Sequence, residues 1–315
     1  MSIHIDINYV KITLHLENFI INKQKDMIKE ERKARWIKTE NVTWFCVTSK
    51  SSHTPDNLLL FLHGTGGSSE CWDELSAELS NRFVTLSLDL PGHGKSQSKK
   101  NFKLSLRNIA KELSRLFEFL NIKKIRTIVG HSAGTTLAIE LLIYNQEIEV
   151  ENIIGINPSL IPPPLHFTMA LSPLVSPFIT SRPTISWLSK IINNSSIINK
   201  LLDSTGSDLE DPSKRERYKR LFNNKGHLQG ALSFMAETDV LSVLQNVNSV
   251  RTKFFFIIGV RDYWIPIDKI KEIFAKYFPG AKVSELDGGH LLNETHSSDL
   301  CKLIMTELPE RSNGI

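Results

Sequence analysis

Two patterns of apolar and polar positions alternate along the chain from residue 41 onward. Leu58–Leu62 is apolar at every position, which is typical of a strand buried on both faces of a sheet, whereas residues 104–120 repeat apolar side chains at helical spacing. The same patterns predict strands at 42–47, 84–88, 125–129, 153–156, 254–258 and, at a sheet edge, 282–285, and helices at 70–79, 135–142, 267–277 and 297–308. This alternation predicts an α/β fold with a mostly parallel sheet covered by helices on both faces.

Residues 159–244 interrupt the alternation. The segment carries three consecutive prolines at 162–164, and pieces with helical spacing follow at 185–192, 213–222 and 230–235. An insertion of this length is more typical of a folded element than of a bare loop. We therefore predict a helical lid at 159–244, inserted into a core formed by residues 41–158 and 245–315.

Residues 1–40 precede the alternating region and are treated as an N-terminal extension. Apolar residues alternate with polar ones up to Tyr9, as in a strand, and a charged stretch at 23–38 has the composition of a helix. The pattern predicts no fold for the extension as a whole.

Composition narrows the possible partners. The net charge is +4, and the basic residues are interspersed with acidic ones, which predicts solvated helix faces and no nucleic-acid partner. The three cysteines are widely spaced and odd in number, so they predict neither disulfides nor zinc, and they favour a reducing, cytoplasmic setting. No apolar run reaches the roughly 18 residues that span a bilayer. Contact between the apolar lid and a membrane surface stays open.

The segment Gly130-His131-Ser132-Ala133-Gly134 stands between a predicted strand and a predicted helix. A G-x-S-x-G motif in that position is typical of a nucleophile elbow, a tight turn that exposes the serine hydroxyl at the sheet edge. Glycines flank the serine because side chains there would collide with the neighbouring strand and helix. We predict Ser132 as the nucleophile and the Ala133 N–H as one donor to an oxyanion.

Two later loops supply a base and an acid. Asp262 follows the strand predicted at 254–258, and His290 lies between the last strand and the last helix, so the order Ser132, Asp262, His290 is that of α/β-hydrolases. We predict His290 as the general base and Asp262 as the residue that orients it, while Asp262 as a plain helix N-cap remains an alternative. The other position for an acid, after the strand at 153–156, carries Asn157 and offers no carboxylate. His296 is the alternative base.

Two glycine-rich turns follow other strands. In His63-Gly64-Thr65-Gly66-Gly67 the Thr65 N–H is the predicted second oxyanion donor, and the alternative is an ordinary strand-to-helix turn. The segment at 89–96 ends in Lys95-Ser96 but lacks the spacing of a phosphate-binding loop, so we predict a structural turn. The histidines lie on separate loops, and the sequence predicts neither a metal site nor a cofactor.

The motifs together resemble an α/β-hydrolase fold protein with a cap, over about residues 41–308. More closely, the chain is similar to the BchO-type magnesium-chelatase accessory proteins of bacteriochlorophyll gene clusters. This resemblance rests on His-Gly-Thr-Gly at 63–66, Asp-Leu-Pro-Gly-His-Gly at 89–94, Gly-His-Ser-Ala-Gly at 130–134, Ile-Asn-Pro-Ser-Leu at 156–160, Leu-Asp-Ser-Thr-Gly-Ser at 202–207 and Gly226-His227. It implies the α/β-hydrolase fold, a role beside magnesium insertion into protoporphyrin IX, a photosynthetic setting and the chelatase subunits as partners. Residues 1–40 lie largely outside it.

The function expected from these residues is hydrolysis of an ester-like bond by a serine nucleophile. Apolar lid residues would form a bulky pocket for a hydrophobic or tetrapyrrole-related small molecule, unless they only pack the lid onto the sheet. The candidate pocket residues are His63, His131, Phe167, Met169, Leu171, Phe178, Trp187 and Trp264. Two alternatives stay open: a non-catalytic tetrapyrrole-binding or chelatase accessory protein, and other chemistry on the same fold, such as that of C–C hydrolases, haloperoxidases or cofactor-free oxygenases.

Overall fold

The computed structural model of the protein describes residues 32–49, 57–161, 178, 180–192 and 195–309. Within them, nine strands form one sheet in the order β1-β2-β4-β3-β6-β7-β8-β9, with β5 paired to β2. The strands are β1 (Arg32–Lys38), β2 (Val42–Ser49), β3 (Leu58–Leu62), β4 (Val84–Leu88), β5 (Gln97–Ser98), β6 (Lys124–His131), β7 (Glu149–Ile156), β8 (Lys253–Gly259) and β9 (Lys282–Leu286). Strands β4, β3, β6, β7, β8 and β9 run parallel, whereas β1, β2 and β5 pair antiparallel.

Helices cover both faces of this sheet. The described α-helices are α1 (Asp73–Leu79), α2 (Leu106–Phe119), α3 (Ala133–Tyr144), α4 (Arg182–Ile192), α5 (Ser195–Asp203), α6 (Pro212–Asn223), α7 (Lys225–Ala236), α8 (Val240–Asn246), α9 (Ile267–Tyr277), α10 (Leu292–Thr295) and α11 (Ser297–Glu307). None of these helices is long and apolar enough to cross a membrane.

The strand side chains divide between two cores because successive residues of a strand point to opposite faces. Leu60 packs in a cluster with residues of α2, α3, α8 and α9, whereas its neighbours Leu59 and Phe61 pack in a second cluster with residues of α1 and α11. Both faces of β3 are therefore buried, which explains why its sequence is apolar throughout. The predicted mostly parallel α/β sheet is confirmed.

Strand β1 corrects one prediction. Residues 23–38 have helix-like composition, yet the described part, Arg32–Lys38, pairs antiparallel with β2 along its whole length. Ile37 enters the core, and the Trp36 ring lies 4.9 Å from the ring of Phe45 on β2. Pairing with the neighbouring strand outweighs the local helix propensity of this segment. Exposed charged side chains such as Lys33 disfavour pairing of the outer sheet edge with a strand of another chain. The remainder of the predicted helix, and the alternating start of the chain, lie outside the described residues.

Helices α4–α7, in the segment predicted to be a lid, pack against one another, and α5 and α6 also contact the loop that follows β9. Ile198, Leu202 and Tyr218 of the lid form a buried cluster with Leu291 from that loop. Helix α8 belongs instead to the core cluster under α3, where Val243 is buried. The lid therefore packs directly on the segment that carries His290.

One face of α6 joins the lid to the core through ion pairs. The pairs, spaced three residues apart on α6, are Lys214–Glu74 at 2.8 Å, Arg217–Glu294 and Arg220–Glu70 at 2.7 Å. In the central pair Glu294 is buried and Arg217 is partly buried, and Glu294 also accepts a hydrogen bond of 2.9 Å from the Tyr218 hydroxyl. Burial raises the pKa of Glu294, and the neighbouring Arg217 opposes that rise.

Replacing Arg217 with leucine should destabilise the fold, because it leaves the buried Glu294 carboxylate without its cation. We expect a loss of about 3–5 kcal/mol in the free energy of unfolding at neutral pH, measured by urea denaturation. The Glu294 pKa would rise further, so the loss should shrink as the pH falls toward the ordinary glutamate value of 4.5 and the folded protein takes up the proton. The matched variant Arg220→Leu removes a more exposed pair and should cost about 1 kcal/mol or less. An unchanged difference between Arg217→Leu and the wild type on acidification would contradict this account.

Candidate active site

Ser132 lies in the tight turn between β6 and α3, at φ 51° and ψ −122°, a conformation that L-residues rarely adopt. The two flanking glycines are required by space. A Cβ on Gly134 would lie 2.2 Å from the carbonyl oxygen of Leu62, and one on Gly130 would lie 2.6 Å from the Cα of Thr135. The sequence at this turn therefore holds the serine at the carboxyl edge of the sheet, with a helix beginning directly after it.

His290 and Asp262 come from the loops after β9 and β8 and meet at Ser132. His290 Nε2 lies 3.1 Å from Ser132 Oγ, and His290 Nδ1 lies 2.7 Å from Asp262 Oδ2. Asp262 Oδ1 accepts two backbone hydrogen bonds, from the N–H of Trp264 at 2.8 Å and of Ile265 at 2.9 Å. Both Asp262 and His290 are buried, so the carboxylate is fixed on one side by the backbone and on the other by the imidazole. The three predicted residues form one hydrogen-bonded series.

Asn157 connects the loop that carries Asp262 with the loop that carries His290. Its backbone has a φ of 43° just after β7, and its buried side chain donates to the carbonyl oxygens of Gly289 and His290, both at 2.9 Å. Its Oδ1 accepts from the N–H of Gly259 at 2.7 Å. The sequence identified this position only as one without a carboxylate. The structure shows a carboxamide whose donor and acceptor ends are both used to align the two loops.

Asn157→Asp should misalign the base, because a carboxylate cannot donate to the Gly289 and His290 carbonyls and would face both at close range. We expect a loss of roughly 1–3 kcal/mol in stability. With His290 in its predicted role as the general base, its displacement should also lower the kcat for p-nitrophenyl acetate by about tenfold or more. Asn152→Asp makes the same change earlier on β7, where the amide donates to the Arg126 carbonyl. Equal activity losses in the two variants would contradict the role assigned to Asn157.

The turn after β3 is supported from behind by His63. The N–H of Leu90 donates to His63 Nε2 at 2.9 Å, so Nδ1 carries the ring proton and donates to the carbonyl oxygen of Gly64 at 2.7 Å. That oxygen also accepts from the N–H of Gly67 at 3.1 Å. Burial lowers the pKa of His63, in keeping with a neutral ring. Since the Gly64 carbonyl and the Thr65 N–H belong to one planar peptide unit, fixing the oxygen also fixes the direction of the N–H.

This geometry corrects the prediction that His63 lines the pocket. Its side chain is fully buried behind the turn, with both ring nitrogens occupied, and it is absent from the cavity wall. The turn itself packs against Ser132: a Cβ on Gly64 would lie 2.9 Å from the Cβ of Ser132. Thr65 lines the cavity beside Ser132, and Ala133 begins α3. Among the described residues, neither of their N–H groups has a hydrogen-bond acceptor.

His131 lines the same cavity, and it is hydrogen-bonded to the loop that carries His290. Its Nε2 donates to the carbonyl oxygen of His290 at 2.8 Å, which leaves Nδ1 as the ring nitrogen without a proton. Burial lowers the pKa of His131 to about 3. A ring that stays neutral at ordinary pH and donates its proton to the His290 carbonyl oxygen is suited to packing and alignment. His296, the alternative base, contacts the hydroxyl of Thr295 at 2.8 Å and lies outside the cavity wall.

The cavity at Ser132 has a volume of about 70 Å³ in the part of the chain that the structure describes. Its wall includes the Trp264 ring, whose centroid lies 5.2 Å from that of His290 and whose Nε1 donates to Ser204 of the lid at 3.2 Å. The apolar wall residues are Leu201, Leu202, Phe222 and Leu291. Among the described residues, the wall of this small space is therefore mostly apolar and includes side chains of α5 and α6.

Other lid residues predicted for the pocket lie elsewhere. Trp187 is 61% exposed, because α4 buries Ile185 and Ser189, which lie on the opposite face of the helix, and the prediction for Trp187 is wrong. Phe178 is 74% exposed. The remaining three, Phe167, Met169 and Leu171, lie outside the described residues.

Cys71 is the thiol-bearing side chain among the described residues of the cavity wall. Its thiol is buried, and burial raises its pKa well above the usual value, so the thiolate is disfavoured. Reactive cysteines have the opposite environment, with a lowered pKa and access to solvent. Cys71 therefore packs the wall and does not compete with Ser132.

The turn at 89–96 is held by Asp89. Its Oδ1 accepts from the N–H of Ser69 at 2.6 Å and its Oδ2 from the N–H of Lys95 at 2.7 Å. Gly94 has a φ of 51°, and a Cβ there would lie 2.2 Å from the Asp89 carboxylate. These contacts are those of a structural turn. A larger cavity of about 1070 Å³ lies beside this turn, and its described wall does not include Ser132, Asp262 or His290.

Comparisons with known proteins agree with this architecture. The sequence profile of a family described as alpha/beta hydrolase fold matches residues 57–297. The magnesium-chelatase 30 kDa subunit of Rhodobacter capsulatus is 27% identical over 273 residues, which are 84% of this chain and 90% of that protein. These two matches confirm the predicted fold class and the predicted resemblance.

Solved structures show the same fold at low identity. Cfl2 from Burkholderia cenocepacia superposes with a TM-score of 0.72 at 17% identity, over 89% of this chain and 96% of that one. The enol-lactonase from Burkholderia xenovorans LB400 gives a TM-score of 0.68 at 16% identity, over 85% and 97%. At these identities the likeness extends to the fold alone.

Proposed function

The chain belongs to the alpha/beta hydrolase fold family, and we propose that it is a serine hydrolase that cleaves an ester-like bond of a hydrophobic substrate. The observation that carries the proposal is the hydrogen-bonded series from Asp262 through His290 to the Ser132 hydroxyl, at 2.7 and 3.1 Å. A nucleophile, a base within reach of its proton and a group that orients the base are what acyl transfer requires.

In the first half of the proposed reaction, His290 Nε2 takes the hydroxyl proton as Ser132 Oγ attacks the carbonyl carbon. Asp262 keeps the His290 proton on Nδ1 and stabilises the imidazolium that forms. The N–H groups of Thr65 and Ala133 donate to the tetrahedral oxyanion. The intermediate then collapses: the imidazolium gives its proton to the leaving oxygen, and the acyl group remains on Ser132.

In the second half, His290 takes a proton from water as the water oxygen attacks the acyl carbon. The same two N–H groups stabilise the second oxyanion. Collapse breaks the bond to Ser132 Oγ, which regains its proton from His290, and releases the carboxylic acid. Each residue thus acts twice, and the cycle ends with the site as it began.

The cavity limits which part of a substrate is enclosed. A volume of about 70 Å³ suits a small acyl group, whereas sites that enclose a whole drug-sized ligand measure roughly 300–1,000 Å³. The apolar wall favours a hydrocarbon acyl chain over a charged one. We propose that the rest of a larger substrate extends outside this space, between the core and the lid.

The chain is similar to a magnesium-chelatase subunit over 90% of that protein. This similarity supports the proposal that the hydrolysis takes place close to the magnesium-insertion step of (bacterio)chlorophyll biosynthesis. The proposed substrate is then a tetrapyrrole-related ester, and the chelatase subunits are the proposed partners.

The word subunit in the relative's name favours one alternative, a non-catalytic accessory role. Pigment synthesis in a strain lacking the protein distinguishes the two: full rescue by Ser132→Ala would favour the accessory role, and failure of that variant would favour catalysis.

Covalent labelling tests the hydrolase proposal directly. The wild-type protein should react with a biotinylated fluorophosphonate, and mass spectrometry of the digested product should locate the adduct on Ser132. Protein that is folded by circular dichroism but remains unlabelled would overturn the proposal. An adduct on any other residue would overturn the assignment of Ser132.

A further inference from the structure

The lid contributes one residue to the turn that carries the oxyanion donor. His227 on α7 is buried, and its Nε2 lies 3.1 Å from the carbonyl oxygen of Gly66, 161 residues away in the sequence. The N–H of Gly94 donates to its Nδ1 at 2.9 Å. We infer that His227 is a positioning residue of the proposed hydrolase: through Gly66 it holds the Thr65 N–H in the direction of the oxyanion. This inference rests on the proposed function.

The connection from His227 to Thr65 runs through two peptide units in series. The Gly66 carbonyl, which accepts from His227, shares a peptide plane with the Gly67 N–H, and that N–H donates to the carbonyl oxygen of Gly64 at 3.1 Å. The Gly64 carbonyl in turn shares a plane with the Thr65 N–H. Hydrogen bonds arranged head to tail in this way polarise one another, so the bond from His227 both orients and strengthens the donor at the other end.

The tautomer of His227 is fixed by its partners. Because the Gly94 N–H occupies Nδ1, the ring proton must be on Nε2, which is the nitrogen that faces Gly66. Burial, together with nearby His63, lowers the pKa of His227 to about 4, and the Asp89 carboxylate partly opposes this. The ring is therefore neutral at ordinary pH, with one donor and one acceptor, and both are used.

The ring can make these bonds only because α7 is seated closely on the core. A Cβ on Gly230, three residues further along α7, would lie 2.0 Å from the carbonyl oxygen of Gly92. Phe222, at the end of α6, contacts Gly66 from the same side: a Cβ on Gly66, which has a φ of 75°, would lie 2.8 Å from the Phe222 ring. The turn is thus held by His63 from the core and by His227 from the lid. Displacing α7 would break the second support, so the oxyanion donor is complete only with the lid seated.

Two substitutions of His227 distinguish the hydrogen bond that the ring donates to Gly66 from the one that it accepts from Gly94. Glutamine places an amide N–H near the position of Nε2 and can still donate to Gly66, whereas asparagine places an amide oxygen near Nδ1 and can only accept from Gly94. We expect His227→Asn to lower the kcat for p-nitrophenyl acetate, and the rate of fluorophosphonate labelling, by roughly tenfold or more with little change in KM. His227→Gln should stay within about threefold of wild type. If His227 served only to accept the hydrogen bond from Gly94, His227→Asn would retain more activity than His227→Gln.

The matched control is Arg220→Gln, which breaks an exposed pair between the lid and Glu70 and leaves the turn intact. It should keep wild-type kcat, and melting curves establish that each variant is folded. Equal rates for wild type and His227→Asn would overturn the inference and leave the proposed function standing. An unlabelled wild type would overturn the proposed function, and the inference with it. In the wild type, a His227 ring protonated on Nδ1 by ¹⁵N NMR would overturn the inference independently of activity, including where a variant fails to fold.

Discussion

Ser132→Ala is expected to lower the kcat for p-nitrophenyl acetate by at least about 10⁴-fold and to abolish fluorophosphonate labelling. The loss follows from the geometry. The hydroxyl removed is the one that lies 3.1 Å from His290 Nε2, and burial raises the pKa of the Cys71 thiol in the cavity wall, which disfavours its thiolate. With no atom to form the acyl-enzyme, the remaining donors can assist only direct attack by water, which accounts for a small residual rate.

The same substitution should leave the fold intact. Alanine can occupy the turn at φ 51° with the strain that serine already bears, and Ser132 Oγ is half-buried with His290 as its hydrogen-bond partner. Ser298→Ala is the matched control, since its exposed hydroxyl donates to Glu78 and lies outside the described cavity wall. Measured side by side, the two variants should melt alike and differ by orders of magnitude in activity. Hydrolysis by Ser132→Ala within tenfold of the wild type would rule out the proposed nucleophile.

The fold and the meeting of the three residues could be predicted because they depend on strand ends. Parallel strands have their carboxyl ends at one edge of the sheet, so Ser132, Asp262 and His290, each placed after a predicted strand, had to approach one another. The fold class and the resemblance are confirmed by the comparisons. The chemical roles of the three residues stay predictions, which the variants described here test.

The features that the sequence predicted wrongly or did not identify depend on contacts between segments that are distant in the sequence. Strand β1 carries helix-forming residues and becomes a strand only by pairing with β2. Asn157 and His227 act across 133 and 161 residues, on carbonyl oxygens that no side-chain pattern identifies. His63 follows β3 in the sequence, and only the partners of its two ring nitrogens show that it faces away from the cavity. Local periodicity carries no information on such contacts.

Asp262 is expected to keep the ring proton of His290 on Nδ1. Replacing Asp262 with asparagine should move that proton to Nε2. In Asp262→Asn the amide oxygen keeps the two backbone donors, the N–H groups of Trp264 and Ile265 that now bind Oδ1 at 2.8 and 2.9 Å. The amide nitrogen must then take the place of Oδ2, which lies 2.7 Å from His290 Nδ1. An N–H in that place requires Nδ1 to be an acceptor, so the His290 proton moves to Nε2.

A proton on Nε2 faces the Ser132 hydroxyl, and the ring can then no longer act as the base. We therefore expect Asp262→Asn to lower kcat by about 10⁴-fold with little change in KM or stability, because only the position of one proton differs. Asp268→Asn, an exposed change at the start of α9, is the matched control and should retain wild-type kcat. NMR of the His290 ring should show the proton on Nδ1 in the wild type and on Nε2 in Asp262→Asn. If the proton moved without loss of activity, His290 would not be the base; if activity fell with the proton still on Nδ1, Asp262 would act by some means other than fixing the tautomer.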